Sequence, residues 1–367
     1  MKTINKLGTI EAICFLLIII VNQIIINLPK NLIINTGSSA WINIIYLAVI
    51  VILISLLVCK MFKPFQGKDI VDIAEFLGGK PLKIFVGFSY ILLFVLISGI
   101  FLRYFSETLK LIYFPNSPVY FISLFFIIGI IIANKLGFRS VVLANLLIVP
   151  IVFIELFVIF ISVSGKFVPE RIFPILGYGI NSTFFSGLSN IFAFAGFSVL
   201  YFLMPMLNKK DDFKKITIIS IIFSSICLLA SILTLILVNS NITTSEELLS
   251  IYSLARTIEY GRFFQRVDAI FIFVWMLSTF SCISIILMLI TNIFKKITNT
   301  TNSSAMVYCF AVLIMGLCFL PKNISQLIFL STSIYKYFII ILVYIISLSI
   351  LVGAYLKKKS IHTGGKI

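Results

Sequence analysis

Two short segments of this 367-residue chain interrupt the apolar stretches in which they stand. Residues 189–207 read SNIFAFAGFSVLYFLMPML and carry Ala195 and Gly196 at the centre, and the first apolar stretch carries Asn22 and Gln23 among isoleucines. A helix that opens inside a membrane exposes unpaired backbone groups, and an Asn or Gln side chain adds amide groups. The chemistry predicted for both segments is non-covalent binding of a small polar ligand.

The spacing of the two segments is typical of a repeated architecture. They lie five apolar stretches apart, as a five-plus-five inverted repeat requires, and the first segment is followed by Asn27, Leu28 and Pro29. Small residues such as Gly196 also allow membrane helices to pack closely. Gly196 is therefore open to two interpretations, close helix packing or ligand binding.

Glu155 is the charged residue that lies deepest in an apolar stretch. It follows Arg139 by 16 residues, which is about 24 Å along a helix and places it in the outer part of the membrane core. A proton relay and a neutral, hydrogen-bonded carboxyl are both compatible with that position. Arg103 and Lys336 are predicted to be interfacial anchors, with Glu155 as a candidate partner.

Enzymatic chemistry is not predicted. The only histidine, His362, stands in the C-terminal tail, so the chain has no Ser/His/Asp set, and no paired carboxylates stand deep in an apolar stretch. The cysteines form no CxxC pair and all lie in or beside apolar stretches, which argues against a metal site or a disulfide framework. They are Cys14, Cys59, Cys227, Cys282, Cys309 and Cys318. No catalytic residue, metal or cofactor is predicted.

The elements that position these residues follow from the composition. Hydrophobic residues make up 60% of the chain, charged residues 11%, and the mean hydropathy is +1.17, so the chain is predicted to be an all-α polytopic membrane protein. The formal net charge of +16 would suggest nucleic-acid binding in a soluble protein. Here the basic residues flank apolar stretches, so the lipid bilayer is the predicted partner and nucleic acid is not.

About 20 residues cross a membrane as a helix, and on that basis we predict ten spans. They are 8–28, 40–60, 82–106, 118–134, 140–163, 183–207, 215–239, 266–293, 304–320 and 334–356. The first carries no small-residue cleavage site and is predicted to be retained. Most of the 29 Lys and Arg residues fall on one side of this topology, which places both termini in the cytoplasm.

The whole chain, 1–367, is predicted to be a single membrane domain. Its first repeat covers about 8–163 and its second about 183–356, and 357–367 form a basic cytoplasmic tail.

Two loops are predicted to contain helices. Residues 68–79 place their apolar residues on one face and close on Gly-Gly, a common helix stop. Residues 245–260 begin with a Ser cap and two Glu, and an apolar stripe follows. The stripe consists of Leu248, Tyr252, Ala255 and Ile258.

Four sequence features together resemble one known family. They are QRVDAIFIFVW at 265–275, Leu-Pro at the end of the first span, FAGF in the sixth span and the NKKDDFKK loop after it. The chain resembles the B subunit of the spore germinant receptors, a branch of the amino acid–polyamine–organocation permeases. The family tends to show Glu-Arg-x-Glu before an apolar run with Trp. Here Gln265 and Asp268 replace the two Glu and Arg266 is kept, and the first span lacks the family's glycine.

The resemblance implies a LeuT-like inverted-repeat fold with a small-molecule pocket near the bilayer midplane. It also implies assembly with an A-type membrane subunit and a C-type lipoprotein subunit in the inner membrane of a spore, where a nutrient such as an amino acid triggers germination. By position, the pocket residues are Asn22, Ile24, Ala195, Gly196, Phe197, Thr279 and Ser281, with Ser98 as a weaker addition. The structural or coupling charges are Arg103, Glu155, Arg266 and Asp268.

Three functions remain open. The chain could be a sensor whose nutrient shifts a two-state equilibrium, an ion-coupled permease for the same ligand, or a scaffold for the other subunits. Only Glu155 lies at depth, which leans mildly against ion coupling. A neutral, mostly apolar pocket favours a small zwitterion or a neutral amino acid as the ligand.

Overall fold

The structure is a computed structural model that describes residues 6–26, 28–239, 249–258, 267–300 and 303–364. Within these ranges every regular element is helical, and the only extended pairing is a single bridge between Leu7 and Leu207. The first half of the chain contains α1 (Thr9–Ile26), α2 (Leu28–Thr36), α3 (Ala40–Phe62), α4 (Ile70–Ile112), α5 (Val119–Lys135) and α6 (Phe138–Ser162).

The second half begins with the 3₁₀ segment Ser186–Phe194 and short α7 (Phe197–Leu203). It continues with α8 (Phe213–Val238), α9 (Ser250–Arg256), α10 (Val267–Thr298), α11 (Ser303–Cys318), α12 (Ile324–Phe329), α13 (Tyr335–Ile339) and α14 (Ser347–Gly364). Helices α12, α13 and α14 form one long helix because π-helical turns at Leu330–Ile334 and Ile340–Ile346 connect them.

By length and composition, six of the described segments can cross a membrane. They are Leu28–Phe65, Ile70–Ile112, Phe138–Lys166, Lys210–Val238, Val267–Thr298 and Ile324–Ile361. The pair Asn181–Phe194 and Phe197–Met206, bent by 46°, makes a seventh if it is one span, and three shorter apolar helices accompany them. The all-helical membrane class is therefore confirmed, and the count of ten spans stays a prediction.

The first predicted span is helical at its interruption. Helix α1 continues through Asn22 and Gln23 to Ile26, so the chain does not unwind at these two residues, a point that the sequence left open. Their amides bond to other helices, and the backbone does not need to open around them. A new helix starts at Leu28, with Pro29 in its first turn, where proline is tolerated because that N–H has no intrahelical acceptor.

The sixth predicted span does open where expected. The chain is 3₁₀-helical up to Phe194, turns at Ala195 and Gly196, and resumes as α7 at Phe197. The bend of 46° confirms the break at this position.

The loop helix predicted at 68–79 is present. Asp69 caps it by accepting hydrogen bonds from the backbone of Val71 and Asp72, both at 3.0 Å, and Gly78 and Gly79 leave the helical conformation at its end. Gly79 has φ +72°, which favours glycine. In the second predicted loop helix, the described helical part is α9, Ser250–Arg256. Tyr252 and Ala255 on α9 and Ile258 just after it are buried, as the predicted stripe requires, while Leu248 and the proposed Ser cap lie outside the described residues.

Both described ends of the chain lie at one end of the bundle, which we call the terminal end. Leu7 donates its N–H to Met206 O at 2.7 Å, and Lys357 donates to Phe76 O at 2.9 Å. Lys296, in the last turn of α10, pairs with Asp69 at 2.5 Å and with Asp72 at 2.6 Å. That this end faces the cytoplasm stays a prediction.

The centre of the bundle is built around α1 and α10. Helix α10 packs against α4, α6 and α1, and α1 also packs against α8. This is why the polar side chains of α1 and α10 meet inside the protein rather than at the lipid.

Candidate functional site

Asn22 joins the two central helices. It is fully buried, its Nδ2 donates to Ser278 Oγ at 3.0 Å, and its Oδ1 accepts from Thr279 Oγ1 at 3.0 Å. Both ends of the amide are therefore engaged by α10. Because all three polar groups find partners, this cluster is best suited to hold α1 and α10 together.

In Gln23, the next residue, only one of the two polar atoms of the side-chain amide is hydrogen-bonded to a described residue. Its Nε2 donates to the Tyr335 hydroxyl at 2.8 Å, whereas its Oε1 has no hydrogen-bond partner in the described part of the chain. The side chain is 5% exposed, and leaving a buried acceptor unpaired costs about 1–3 kcal/mol. An unpaired acceptor at this depth suits a ligand that carries a hydrogen-bond donor.

A small cavity lies beside Gln23, and we call it the ligand cavity. Its volume is about 40 Å³, room for a few water molecules. It is lined by Gln23, Leu28, Asn31, Ile100, Phe101, Tyr104, Phe192, Ser331 and Tyr335. Residues of α1, α2, α4, the sixth span and the last long helix thus converge on one point.

The polar wall of the ligand cavity comes mainly from the last long helix. Ser331 lies within the π-turn Leu330–Ile334 and Tyr335 follows it directly, so this turn sets the direction of both side chains. The Tyr104 hydroxyl of α4 is 3.2 Å from Ser331 Oγ. π-turns are found frequently at functional sites, because the extra residue in the turn shifts the side chains out of the regular helical register.

The second π-turn, Ile340–Ile346, meets the bend of the sixth span. Tyr344 places its hydroxyl 3.4 Å from both Ile191 O and Phe194 O, and its ring stacks on Phe197 with 5.8 Å between centroids. The Tyr344 hydroxyl thus donates to the backbone carbonyl groups next to the bend. Phe197 is a packing residue at this joint.

Gly196 allows the sixth span to approach α1. A Cβ atom built on Gly196 would lie 2.6 Å from Ile20 Cγ1 and 3.3 Å from Leu16 O, closer than packed atoms tolerate. A cavity beside Gly196, which Leu16 and Ile20 also line, has a volume of about 20 Å³, and we call it the Gly196 cavity. Its lining is mainly apolar, with Thr217 and Ser220 of α8 as its hydroxyl groups. The geometry at Gly196 favours close packing.

The other predicted pocket residues are dispersed. Ile24 and Ala195 are completely buried and offer no polar side chain. Ser98 is also completely buried, and its hydroxyl has no partner among the described residues. Ser281 donates to Asn145 Oδ1 at 3.1 Å and lines a groove next to α5 and α6, away from the ligand cavity.

The predicted charges do not form the expected pair. Arg103 bonds to Glu107, one turn further along α4, with 2.7 Å between Nη2 and Oε1, and it also approaches Cys318 O at 3.5 Å. The prediction that Glu155 is the partner of Arg103 is therefore wrong, because the guanidinium group pairs with Glu107 on its own helix. Glu155 is 8% exposed, and neither carboxyl oxygen has a hydrogen-bond partner within the described ranges.

The remaining charges lie on other elements. Asp268, in the first turn of α10, accepts from the Tyr252 hydroxyl at 3.4 Å, and Arg266 lies outside the described residues. Lys336 places its ammonium group 5.6 Å from the centre of the Phe192 ring. None of these side chains lines the ligand cavity.

Four polar residues of the ligand cavity were not singled out from the sequence: Asn31, Tyr104, Ser331 and Tyr335. A signal existed for the last two, which stand four residues apart and so share one face of an apolar helix. No local sequence pattern marked Asn31 and Tyr104, because they reach the ligand cavity only through the tertiary packing of α2 and α4.

Comparisons with known proteins agree with this architecture. A family model described as "Spore germination protein" matches residues 6–327. Spore germination protein KB of Bacillus subtilis (strain 168) is 24% identical over 272 residues, which cover 72% of this chain and 73% of that protein. Spore germination protein B2 of the same organism is 22% identical over 285 residues, with 77% of each chain covered.

Solved transporter structures share the fold. A Na⁺-coupled sialic acid symporter in a substrate-bound, outward-open state superposes with a TM-score of 0.66 at 13% identity, over 93% of this chain and 80% of that chain. MhsT in complex with L-phenylalanine superposes with a TM-score of 0.63 at 13% identity, over 94% and 97% respectively. At such identities the likeness shows the fold alone.

Proposed function

The chain belongs to the spore germination protein family, and from that premise we propose that it is the membrane subunit of a germinant receptor that binds a small nutrient in the ligand cavity. The nutrient is an amino acid or a molecule of similar size and polarity. Its binding shifts the protein between two conformations and so triggers germination.

The observation that carries this proposal is the unpaired Oε1 of Gln23 beside the cavity. An ammonium group can donate to this oxygen and to the hydroxyl groups of Tyr104 and Ser331. The first turn of α2, which includes Leu28, presents helix N–H groups that suit a carboxylate. No acidic or basic side chain is among the lining residues that the structure describes, which favours a neutral or zwitterionic ligand.

The size of the cavity supports a sensor that changes shape. A volume of about 40 Å³ is too small for an amino acid, so the walls must separate when the nutrient binds. The bend at Gly196 and the two π-turns are the irregular parts of the helices around it. A ligand that fits only the opened state shifts the equilibrium toward that state by its differential affinity.

The proposed assembly places the chain in the inner membrane of the spore, with an A-type membrane subunit and a C-type lipoprotein subunit. The five-plus-five inverted repeat and the cytoplasmic position of both termini belong to the same proposal. The shared transporter fold supports the repeat, and the distribution of Lys and Arg supports the orientation.

The proposal is tested in spores whose only B-type subunit is this chain or a variant. Tyr335→Phe removes the hydroxyl that faces Gln23 and the cavity, and Tyr337→Phe on the same helix is the matched control, since Tyr337 is 58% exposed. The measurement is the rate of optical-density loss over a concentration series of each amino acid. We expect the half-maximal concentration to rise about tenfold for Tyr335→Phe, as for one lost hydrogen bond of ~1.4 kcal/mol.

Tyr337→Phe should leave the dose–response curve unchanged at equal protein levels. Equal curves for the two variants would contradict a ligand site at this cavity.

An ion-coupled amino acid permease is the second candidate, and the shared fold with a Na⁺-coupled symporter is the observation that favours it. It requires net movement of ligand. Uptake of a labelled amino acid into proteoliposomes by the isolated chain, driven by a sodium or proton gradient, would support the permease. Binding without uptake would support the sensor.

A further inference from the structure

A second, larger cavity lies at the terminal end of the bundle, far from the ligand cavity along the helices. Its volume is about 570 Å³, and it is formed where α3 ends and where the chain between α7 and α8 passes beside it. We call it the lysine pocket, because Lys60, Lys63, Lys210 and Lys214 line it.

The charge of the lysine pocket is unbalanced. One acidic side chain, Asp211, accompanies the four lysines, and none of the four forms an ion pair with a residue that the structure describes. Other lysines at the same end are neutralised, as Lys296 is by two carboxylates. The pocket therefore carries a surplus of positive charge at one place.

Helix α8 adds to this potential. Lys214 stands in its first turn, and the N-cap residue Asp212 lies outside the pocket lining and accepts a hydrogen bond from Thr9 Oγ1 at 2.7 Å. A helix N-terminus carries partial positive charge, so a cation there is unfavourable and an anion is favourable. Lys210 is held over the turn at Gly67, where a Cβ atom would lie 2.8 Å from its Nζ.

The floor of the lysine pocket is apolar and continues into the membrane. Met204 and Phe213 are buried at its base. On α3, Leu53 and Leu57 stand seven and three residues before Lys60, which places them on nearly the same helical face, and they are 61% and 44% exposed. A strip of lipid-facing leucine thus leads from the hydrocarbon core to the lysines.

From this arrangement we propose that the lysine pocket binds the headgroup of an anionic phospholipid. The phosphate lies among the four ammonium groups, and an acyl chain lies along Leu53 and Leu57. Basic pockets at the ends of membrane helices hold anionic headgroups in this way, because each Lys near the surface adds electrostatic attraction. An acidic segment of a protein partner would use the lysines but not the apolar strip, so the lipid fits the surface better.

The test uses the full chain purified in a neutral detergent and titrated with phosphatidylglycerol or phosphatidylcholine, with bound lipid counted by native mass spectrometry. We expect one phosphatidylglycerol per chain to bind at least tenfold more tightly than phosphatidylcholine, with an affinity that falls as salt is raised. The double variant Lys60→Gln/Lys210→Gln should bind phosphatidylglycerol about thirtyfold more weakly, since two basic contacts are removed.

The matched control is Lys80→Gln/Lys215→Gln, which removes the same charge from exposed lysines outside the pocket at the same end of the protein. It should keep the wild-type affinity for phosphatidylglycerol. Equal losses in the two double variants would mean a diffuse surface effect, and no loss in either would mean a different lipid site. Both results overturn the proposal.

Two soluble competitors distinguish the source of the anion. Inorganic phosphate and a decamer of glutamate are each added at millimolar concentration to the lipid-bound chain. The proposal expects neither to displace phosphatidylglycerol. Displacement by phosphate would make the pocket a site for a free anion, and displacement by the acidic peptide would make it a site for a protein partner; either overturns the lipid.

Discussion

The first and sixth predicted spans both carry an interruption, but they use it differently. Helix α1 stays helical through its polar pair and bonds to α10 and Tyr335 with side chains. The sixth span bends by 46° and packs its small residue, Gly196, against Ile20 of α1. Of these two spans, the first thus supplies an unpaired polar atom to the ligand cavity, and the sixth supplies the close helix contact.

An interruption in an apolar stretch thus has two different structural roles in this chain. At Gly196 the missing side chain makes room for a neighbouring helix, and the carbonyls beside the bend meet the Tyr344 hydroxyl. At Gln23 an acceptor is left unpaired next to a cavity. Packing thus accounts for the bend at Gly196, whereas no contact among the described residues accounts for the unpaired acceptor at Gln23.

The largest expected effect is on the sixth span. Gly196→Phe places atoms where Ile20 already lies, so it should cost more than the ~1–3 kcal/mol of a single overpacked position and should strongly reduce the folded protein in the membrane. The control is Gly316→Phe, because nothing lies within 4 Å of a Cβ atom at Gly316. Normal levels of Gly196→Phe together with a lost nutrient response would instead support a ligand at Gly196.

An intermediate effect is expected at Asn22. Asn22→Leu leaves the buried hydroxyls of Ser278 and Thr279 without their partner, so the protein should lose about 2–3 kcal/mol of stability. The measurement is the midpoint of thermal denaturation of the purified chain. An unchanged midpoint would show that this cluster does not hold α1 to α10.

The smallest effect on stability is expected at the neighbouring residue. Gln23→Leu removes one hydrogen bond but also removes the unpaired acceptor, so stability should change by no more than about 1 kcal/mol. The nutrient response should nevertheless shift to concentrations at least tenfold higher. Equal losses of stability for Gln23→Leu and Asn22→Leu would contradict the separate roles of the two residues, ligand binding for Gln23 and stabilisation of the contact between α1 and α10 for Asn22.

The class of the protein and the bend at Ala195 and Gly196 could be predicted from the sequence. Hydropathy is a property of a local segment, and a small-residue interruption in an apolar stretch is visible without tertiary structure. The helix at 68–79 was predictable for the same reason, since its cap and its glycine stop are local signals.

The site was predicted only in part. Gln23 and Leu28, which stand in segments that the sequence singled out, do line the cavity, but none of the eight predicted pocket residues does. Asn22 and Thr279 are brought together outside it. Asn31 and Tyr104 reach the cavity through packing between distant helices, which no local pattern reveals. The Arg103–Glu155 pair failed because Glu107, one turn away on α4, competes for the same guanidinium. Proximity along a helix outweighs a contact that requires two helices to meet in register.

The proposed ligand site at Gln23 is tested most directly by equilibrium binding of a labelled amino acid to the purified chain. Two variants are compared: Gln23→Leu at the ligand cavity, and Ser220→Ala at the Gly196 cavity, whose hydroxyl also has no partner among the described residues. We expect one site per chain, at least tenfold weaker binding for Gln23→Leu and unchanged binding for Ser220→Ala. The reverse pattern would place the ligand at the sixth span and contradict a ligand site at Gln23.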